Sequence, residues 1–200
     1  MIVGLDSNVE TRLIDKFSES SEFGFDVCCA IRNSYLSLVM LHYLGCRILT
    51  KNLKLLIVYY SQTGNTEKMA RAVEEGAKSV VGIEVEVKYF VKPEELAEAD
   101  AIILGMPTYY HDIGVDMKNL LEKASKEEID LKGKIGATFG SFGWSGEAPN
   151  MLLEILKNRF QMDVVEPAVR IKYNPDAKAL DECRNLGKTV AEKMVKNSLK

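Results

Sequence analysis

Six consecutive residues, Ser61-Gln62-Thr63-Gly64-Asn65-Thr66, combine hydroxyls, side-chain amides and a glycine directly after an apolar run. A helix is predicted to open from them, and its first backbone amides lack partners inside the helix. The helix dipole adds partial positive charge at the same end. Hydroxyls and amides gathered there make a cradle for an anion, a phosphate above all. The pattern is not a P-loop, since no Gly-Lys-Ser/Thr follows, and it is not G-x-G-x-x-G. No Lys or Arg lies within the loop, so neutral donors would hold the charge. An ordinary helix start with a hydroxyl cap is the plainer alternative.

Two further loops have unusual composition. Pro107-Thr108-Tyr109-Tyr110-His111-Asp112-Ile113-Gly114 carries an aromatic pair that can stack on a flat ring or simply cover the end of a sheet. His111 reads either as a proton donor or as a polar rim residue. Gly140-Ser141-Phe142-Gly143-Trp144-Ser145-Gly146 is dense in glycine, as a backbone must be when it approaches a planar ligand closely. Trp144 is the only tryptophan of the chain.

The elements that must position these loops alternate strand and helix from Leu53 onward. Leu55–Tyr59, Ala101–Leu104 and Ile135–Phe139 are continuous apolar runs, expected of strands covered by helices on both faces. Around Ile83–Tyr89 and Val169–Tyr173 apolar and charged residues alternate instead, the second run with Pro167 near its start. Alternation and a tolerated proline mark edge strands. These assignments fit an α/β fold with a doubly wound, five-stranded parallel sheet of order 2-1-3-4-5. Helical stripes run through Met69, Ala70, Val73 and Ala77, and through Met117, Leu120, Leu121 and Ala124. Two more run through Leu152, Ile155, Leu156 and Phe160, and through Leu180, Cys183, Gly187, Val190 and Met194. Cys183 is therefore expected in the core. In such a sheet ligands bind beyond the carboxyl ends of the strands, near the switch point between strands one and three. All three loops emerge there.

The run Ile57-Val58-Tyr59-Tyr60-Ser61-Gln62-Thr63-Gly64-Asn65-Thr66, continuing to Ala70 and Val73, resembles the signature of the flavodoxin family. The resemblance extends from about Leu53 to Met194, without the fifth-strand insertion of longer flavodoxins. Gly105-Met106-Pro107-Thr108, Phe139–Gly146, Val165-Glu166-Pro167 and Lys172-Tyr173 are most similar to the flavodoxin domain of A-type (flavo-diiron) flavoproteins. Those proteins also carry a diiron domain built on His-rich motifs. Two histidines cannot supply it, so only the flavin half is expected.

The resemblance implies FMN as cofactor, with its phosphate on Ser61, Gln62, Thr63, Gly64, Asn65 and Thr66. It implies that Pro107, Thr108, Tyr109, Tyr110 and His111 contact one side of the isoalloxazine ring. Gly140, Ser141, Phe142, Gly143, Trp144 and Gly146 would flank the other. Flavodoxins often place a Gly or Asn in the second loop, whose peptide turns over as the flavin is reduced. Here Asp112 stands near that position, with Gly114 two residues on. Asp112, Asp116 and Glu147 add negative charge, with no cation in the loops. That is expected to push the reduction potential below that of free FMN.

The implied function is electron transport between redox partners such as a ferredoxin, a rubredoxin or a reductase. An oxidoreductase is the alternative. Pro107-Thr108, Tyr110 and Met117–Leu121 are similar to NAD(P)H:quinone oxidoreductases of the tryptophan-repressor-binding-protein type, although the third loop is not. A flavin-free binding module on the same fold is a third class.

Composition sets the outer limits. The 200 residues are 46% hydrophobic and 28% charged, ordinary for a globular chain. A formal net charge of -3 gives no reason to expect nucleic acid or an anionic membrane. Cys28, Cys29, Cys46 and Cys183 form no C-x-x-C pair, so reduced thiols and a cytoplasmic protein are expected. Residues 1–52 read as an extension to the domain at 53–200. The segment begins acidic, unlike a signal peptide. Its uncharged stretch from Ser34 to Cys46 is too short for a membrane helix. It is expected to be an added amphipathic helix, a poorly ordered arm, or in part upstream of a native start.

Overall fold

The computed structural model describes residues 53–199. Expectations about residues 1–52, and about Cys28, Cys29 and Cys46, lie outside the described residues.

The chain alternates as expected. Strand β1 (Leu53–Tyr59) leads into helix α1 (Asn65–Lys78), then β2 (Ile83–Lys88) and the short α2 (Pro93–Glu98). Next come β3 (Ala101–Gly105), α3 (Val115–Lys126), β4 (Ile135–Phe142) and α4 (Ala148–Glu154). A π-helical turn (Ile155–Arg159) extends α4 before β5 (Asp163–Val164), β6 (Val169–Lys172) and α5 (Ala177–Ser198). The sheet is parallel throughout and runs β2-β1-β3-β4, with β5 and β6 both on the outer side of β4. This is the 2-1-3-4-5 order, with the fifth position shared by two short segments rather than one strand. Asp163–Val164 pair with Ile135–Gly136, and Val169–Lys172 pair with Phe139–Phe142. Pro167 lies in the gap between them, where a residue without an N–H cannot extend the ladder.

Alternate residues of the interior strands feed two cores. Leu55, Ile57, Ile103, Ala137 and Phe139 pack under α1 and α5. Leu56, Val58, Ile102 and Leu104 pack under α2, α3 and α4. Burial on both faces is why these strands read as unbroken apolar runs. The stripe Met69, Ala70, Val73 and Ala77 is fully buried on α1, and Cys183, Val190 and Met194 are buried on α5.

Helices α1 and α5 meet backbone to backbone. A Cβ on Gly187 would lie 2.0 Å from the Val73 carbonyl oxygen, and one on Gly76 would lie 1.9 Å from that of Arg184. Two glycines facing opposite ways thus let the helices close to a distance no side chain permits. Among the described residues, no helix is long and apolar enough to cross a membrane.

Candidate functional site

The three loops converge beyond the carboxyl ends of β1, β3 and β4, and hydrogen bonds tie each to the next. Where β1 ends, the Tyr60 amide donates to the Gly105 carbonyl at the end of β3 (2.9 Å). The chain then turns back to begin α1. Gly64 makes the turn at φ +82°, a left-handed conformation costly for any residue with a side chain, and no side chain caps the helix behind it. The first-turn amides of α1 thus receive no side-chain cap.

The Ser61 hydroxyl accepts from the Gly64 amide (3.1 Å), which leaves its own proton free to donate. The Ser61 carbonyl accepts from the Tyr89 hydroxyl (3.2 Å), and Tyr89 packs on Tyr59 and Tyr60. An aromatic base thus holds the cradle from beneath. Gln62 and Thr63 are exposed at its lip. Thr66 is not at the lip. It is fully buried, and its hydroxyl lies 3.0 Å from that of Ser141.

The second loop leaves β3 through buried Met106 and Pro107. The Thr108 amide donates to the Ser141 carbonyl (3.1 Å), while the Thr108 hydroxyl oxygen accepts from the Ala148 amide at the start of α4 (3.2 Å). Thr108 therefore ties the second loop to the third. Reciprocal backbone bonds between Tyr109 and Asp112 (3.3 and 2.9 Å) close a two-residue turn. Tyr110 and His111 occupy it at φ +50° and +64°. Two positive φ values define the type I′ geometry, ordinarily filled by Asn and Gly. The turn sends the aromatic pair in different directions. Tyr109 is half-buried; that burial raises its phenol above the usual range, and the Gln62 amide donates to its oxygen. Tyr110 stands 99% exposed. The expected pair therefore does not form one stacking surface.

The third loop needs its glycines. A Cβ on Gly140 would sit 1.9 Å from the Met106 carbonyl oxygen, so only glycine lets β4 and the second loop approach here. At Gly146 (φ +73°) the backbone folds over the Phe142 ring, leaving no room for a side chain. Trp144 is 87% exposed at the rim. The Ser141 hydroxyl meets that of Thr66 inside the domain.

Charge is distributed differently from expectation. The loops contain no lysine or arginine, but Lys118 of α3 reaches Asp112 and forms an ion pair. Its ammonium, with the Ile113 amide (2.7 Å), holds the Asp112 carboxyl below the usual range. Across the mouth, His111 Nδ1 lies 3.2 Å from Glu147 Oε1. The Ser145 hydroxyl, then His111, hold the Glu147 carboxyl low, and Oε2 of the same group is buried without a partner. One of the three acids, Asp112, is thus paired with a cation, while Glu147 lies against an imidazole that is charged only when protonated.

Tyr89, Lys118 and Glu147 are the residues whose structural roles sequence reasoning missed. The alternation along β2 places Tyr89 just beyond its end, beside the end of β1, which was the available signal. No metal-binding group of three or more His, Cys, Asp or Glu side chains occurs among the described residues.

Known proteins share this fold. The flavodoxin family model matches residues 57–187. The type A flavoprotein fprA of Rhodobacter capsulatus is 36% identical over 146 residues, covering 69% of this chain and 32% of its own length. A flavodoxin from the domain Archaea superposes with a TM-score of 0.66 at 40% identity, covering 71% of this chain and 99% of that one. The rubredoxin oxygen:oxidoreductase of Desulfovibrio gigas superposes with a TM-score of 0.62 at 29% identity, covering 70% of this chain and 36% of that one. The chain thus spans about a third or less of the length of the curated relatives it matches first.

Proposed function

The chain belongs to the flavodoxin family, and from that premise we propose that it carries electrons between redox partners on an FMN held by the three loops. FMN is the cofactor and electron transport the general activity that membership brings. The uncapped start of α1, with the Ser61 hydroxyl bonded to the Gly64 amide just before it, is the observation that carries the reading. It suits the dianionic phosphate of FMN without any cation in the loop. The phosphate is assigned to Ser61, Gln62, Thr63, Gly64 and Asn65, with Thr66 acting from behind through Ser141. Tyr109 and Trp144, on opposite loops, are assigned to the ring, and Trp144 has the free face to stack on it. Pro107, Thr108, Gly140 and Gly143 supply backbone at the ring's edges, and Phe142 supports Gly146 from below.

Bound FMN takes up and releases one or two electrons. The protein's part is to anchor the phosphate, fix the ring between two loops, and leave its edge open to a partner. Rubredoxin, ferredoxin or a reductase are the candidate partners, the first supported by the named activity of the Desulfovibrio gigas relative.

Adding FMN to the cofactor-free chain is expected to quench Trp144 fluorescence in step with the appearance of bound-flavin absorbance. An unchanged tryptophan signal would reject the ring assignment. An anaerobic reductive titration then separates carrier from enzyme. Reduction by rubredoxin or ferredoxin, without NAD(P)H-driven quinone turnover, supports the carrier. Quinone turnover at catalytic rates with NAD(P)H would instead support the oxidoreductase resembled by Met117–Leu121.

A further inference from the structure

The contact between His111 and Glu147 joins two side chains across the mouth of the site, and its two members sit on loops that nothing covalent holds together at that point. His111 belongs to a two-residue turn held at positive φ, a conformation its own side chain does not favour. The turn's backbone bonds, Tyr109 to Asp112 and back, are internal to it. They fix its shape but not its distance from the third loop. That distance is set by Thr108, three residues earlier, and at the tip by His111 Nδ1 on Glu147 Oε1 at 3.2 Å. The carboxylate is poised for this. Ser145 and His111 keep it ionised, and its second oxygen is already out of water.

We propose that His111 is a positioning residue, whose protonated ring draws the 109–112 turn onto Glu147 and holds the two sides of the flavin site at their binding separation. The inference rests on the FMN assignment above and adds to it a dependence on histidine charge. Four groups face or flank the imidazole. Glu147 faces it from the third loop. Asp112 and Tyr110 flank it on its own turn, and Lys118 of α3 engages Asp112. Since Asp112 is engaged by Lys118, Glu147 is the carboxylate left to respond to the imidazole.

The sign follows from these partners. An imidazolium attracts a carboxylate and a neutral imidazole does not, so the contact is stronger at acid pH and weakens as pH rises. Glu147 is held low, so it stays ionised throughout that range. The contribution of His111 to flavin affinity should therefore be larger at pH 5.5 than at pH 8.5. The pair is partly exposed, with side chains 65% and 43% accessible, which limits the effect to about two- to fivefold.

The test measures the FMN dissociation constant of the full chain from pH 5.5 to 8.5 for the native protein, His111→Gln, His111→Arg and Glu147→Gln. The phosphate of FMN titrates in the same range. Each variant is therefore read as a ratio to the native protein at the same pH, which cancels that contribution. His111→Gln should bind about two- to fivefold more weakly at pH 5.5 and equally at pH 8.5. His111→Arg, charged at every pH, should match the native protein at pH 5.5 and exceed it at pH 8.5. Glu147→Gln should abolish the difference between His111 and its variants. Ratios that do not change with pH, with FMN still bound, would overturn the positioning role alone. Absence of FMN binding at every pH would overturn the cofactor assignment, and this inference with it.

Discussion

The hydroxyls of Thr66 and Ser141 meet at 3.0 Å inside the domain, 75 residues apart in the chain. The bond ties the first turn of α1 to the end of β4, so the 61–66 loop and the third loop share one buried anchor. Both groups are buried, Thr66 at 0% and Ser141 at 6% exposure, and neither has water to fall back on. Thr66→Val keeps the shape and leaves the Ser141 hydroxyl unpaired. It should lower the stability of the cofactor-free protein by about 1–3 kcal/mol in urea unfolding. Adding Ser141→Ala should cost less than the two single changes summed, because the orphaned group is then removed.

The α1–α5 contact is expected to be equally intolerant. On an exposed helix, Gly→Ala gains about 1 kcal/mol of helix propensity. At Gly187 the new methyl meets the Val73 carbonyl oxygen at 2.0 Å, and backbone cannot swing aside. Overpacking of this kind costs about 1–3 kcal/mol or more, so Gly187→Ala should destabilise despite the better propensity. A rise in the urea midpoint would contradict the close approach.

How far these features could be read beforehand depends on what sets them. The interior strands, the stripe through Met69, Val73 and Ala77 and the buried Cys183 follow from apolar spacing, which burial imposes directly. The turn at Ser61–Gly64 into α1 was legible because glycine and hydroxyl residues have local reasons to occur at a helix start. The far end was not. Tyr110-His111 gives no hint of a type I′ turn, and only that turn explains why Tyr109 is half-buried and Tyr110 free. Likewise Lys118 and Glu147 find their partners through the separation of loops, which no local spacing encodes. The division of the fifth sheet position followed from Pro167, whose effect was anticipated as an edge mark rather than as an interruption.

Cys183 offers a direct test of the core. Burial pushes its thiol up to about 12, with Glu182 adding to the shift. A thiol in that range is a poor nucleophile at neutral pH. With Cys28, Cys29 and Cys46 replaced by alanine, the native protein should leave a disulfide reagent unreacted at pH 8. The same protein in guanidinium should react with one equivalent. Prompt labelling of the native form would show that α5 opens readily.

Acid sensitivity should come from carboxylates bound by cations at the β1–β2–α2 edge. Lys88 holds Glu86 and Glu95 below the usual range, and Lys54 assists at Glu86. On α1, Glu74 is raised by burial but brought below its ordinary value overall by Lys78 and Arg71. A depressed carboxyl contributes stability above its unfolded value, about 4.3, and loses it as pH falls through the folded one. The urea midpoint should be flat from pH 6 to 8 and fall below about pH 5. Glu86→Gln with Glu95→Gln should make that fall shallower. An unchanged acid slope would show that other groups govern it.

The paired glycines of α1 and α5 have a consequence for the ligand end of the molecule. With the phosphate placed as proposed at the amino terminus of α1, any axial slip of that helix would displace every donor in the cradle together. Gly76 and Gly187 lock α1 against the last helix, well along from its binding end. The carboxyl-terminal helix thereby serves as a backstop. It would touch no phosphate in the proposed placement, yet it fixes how far α1 can reach toward one.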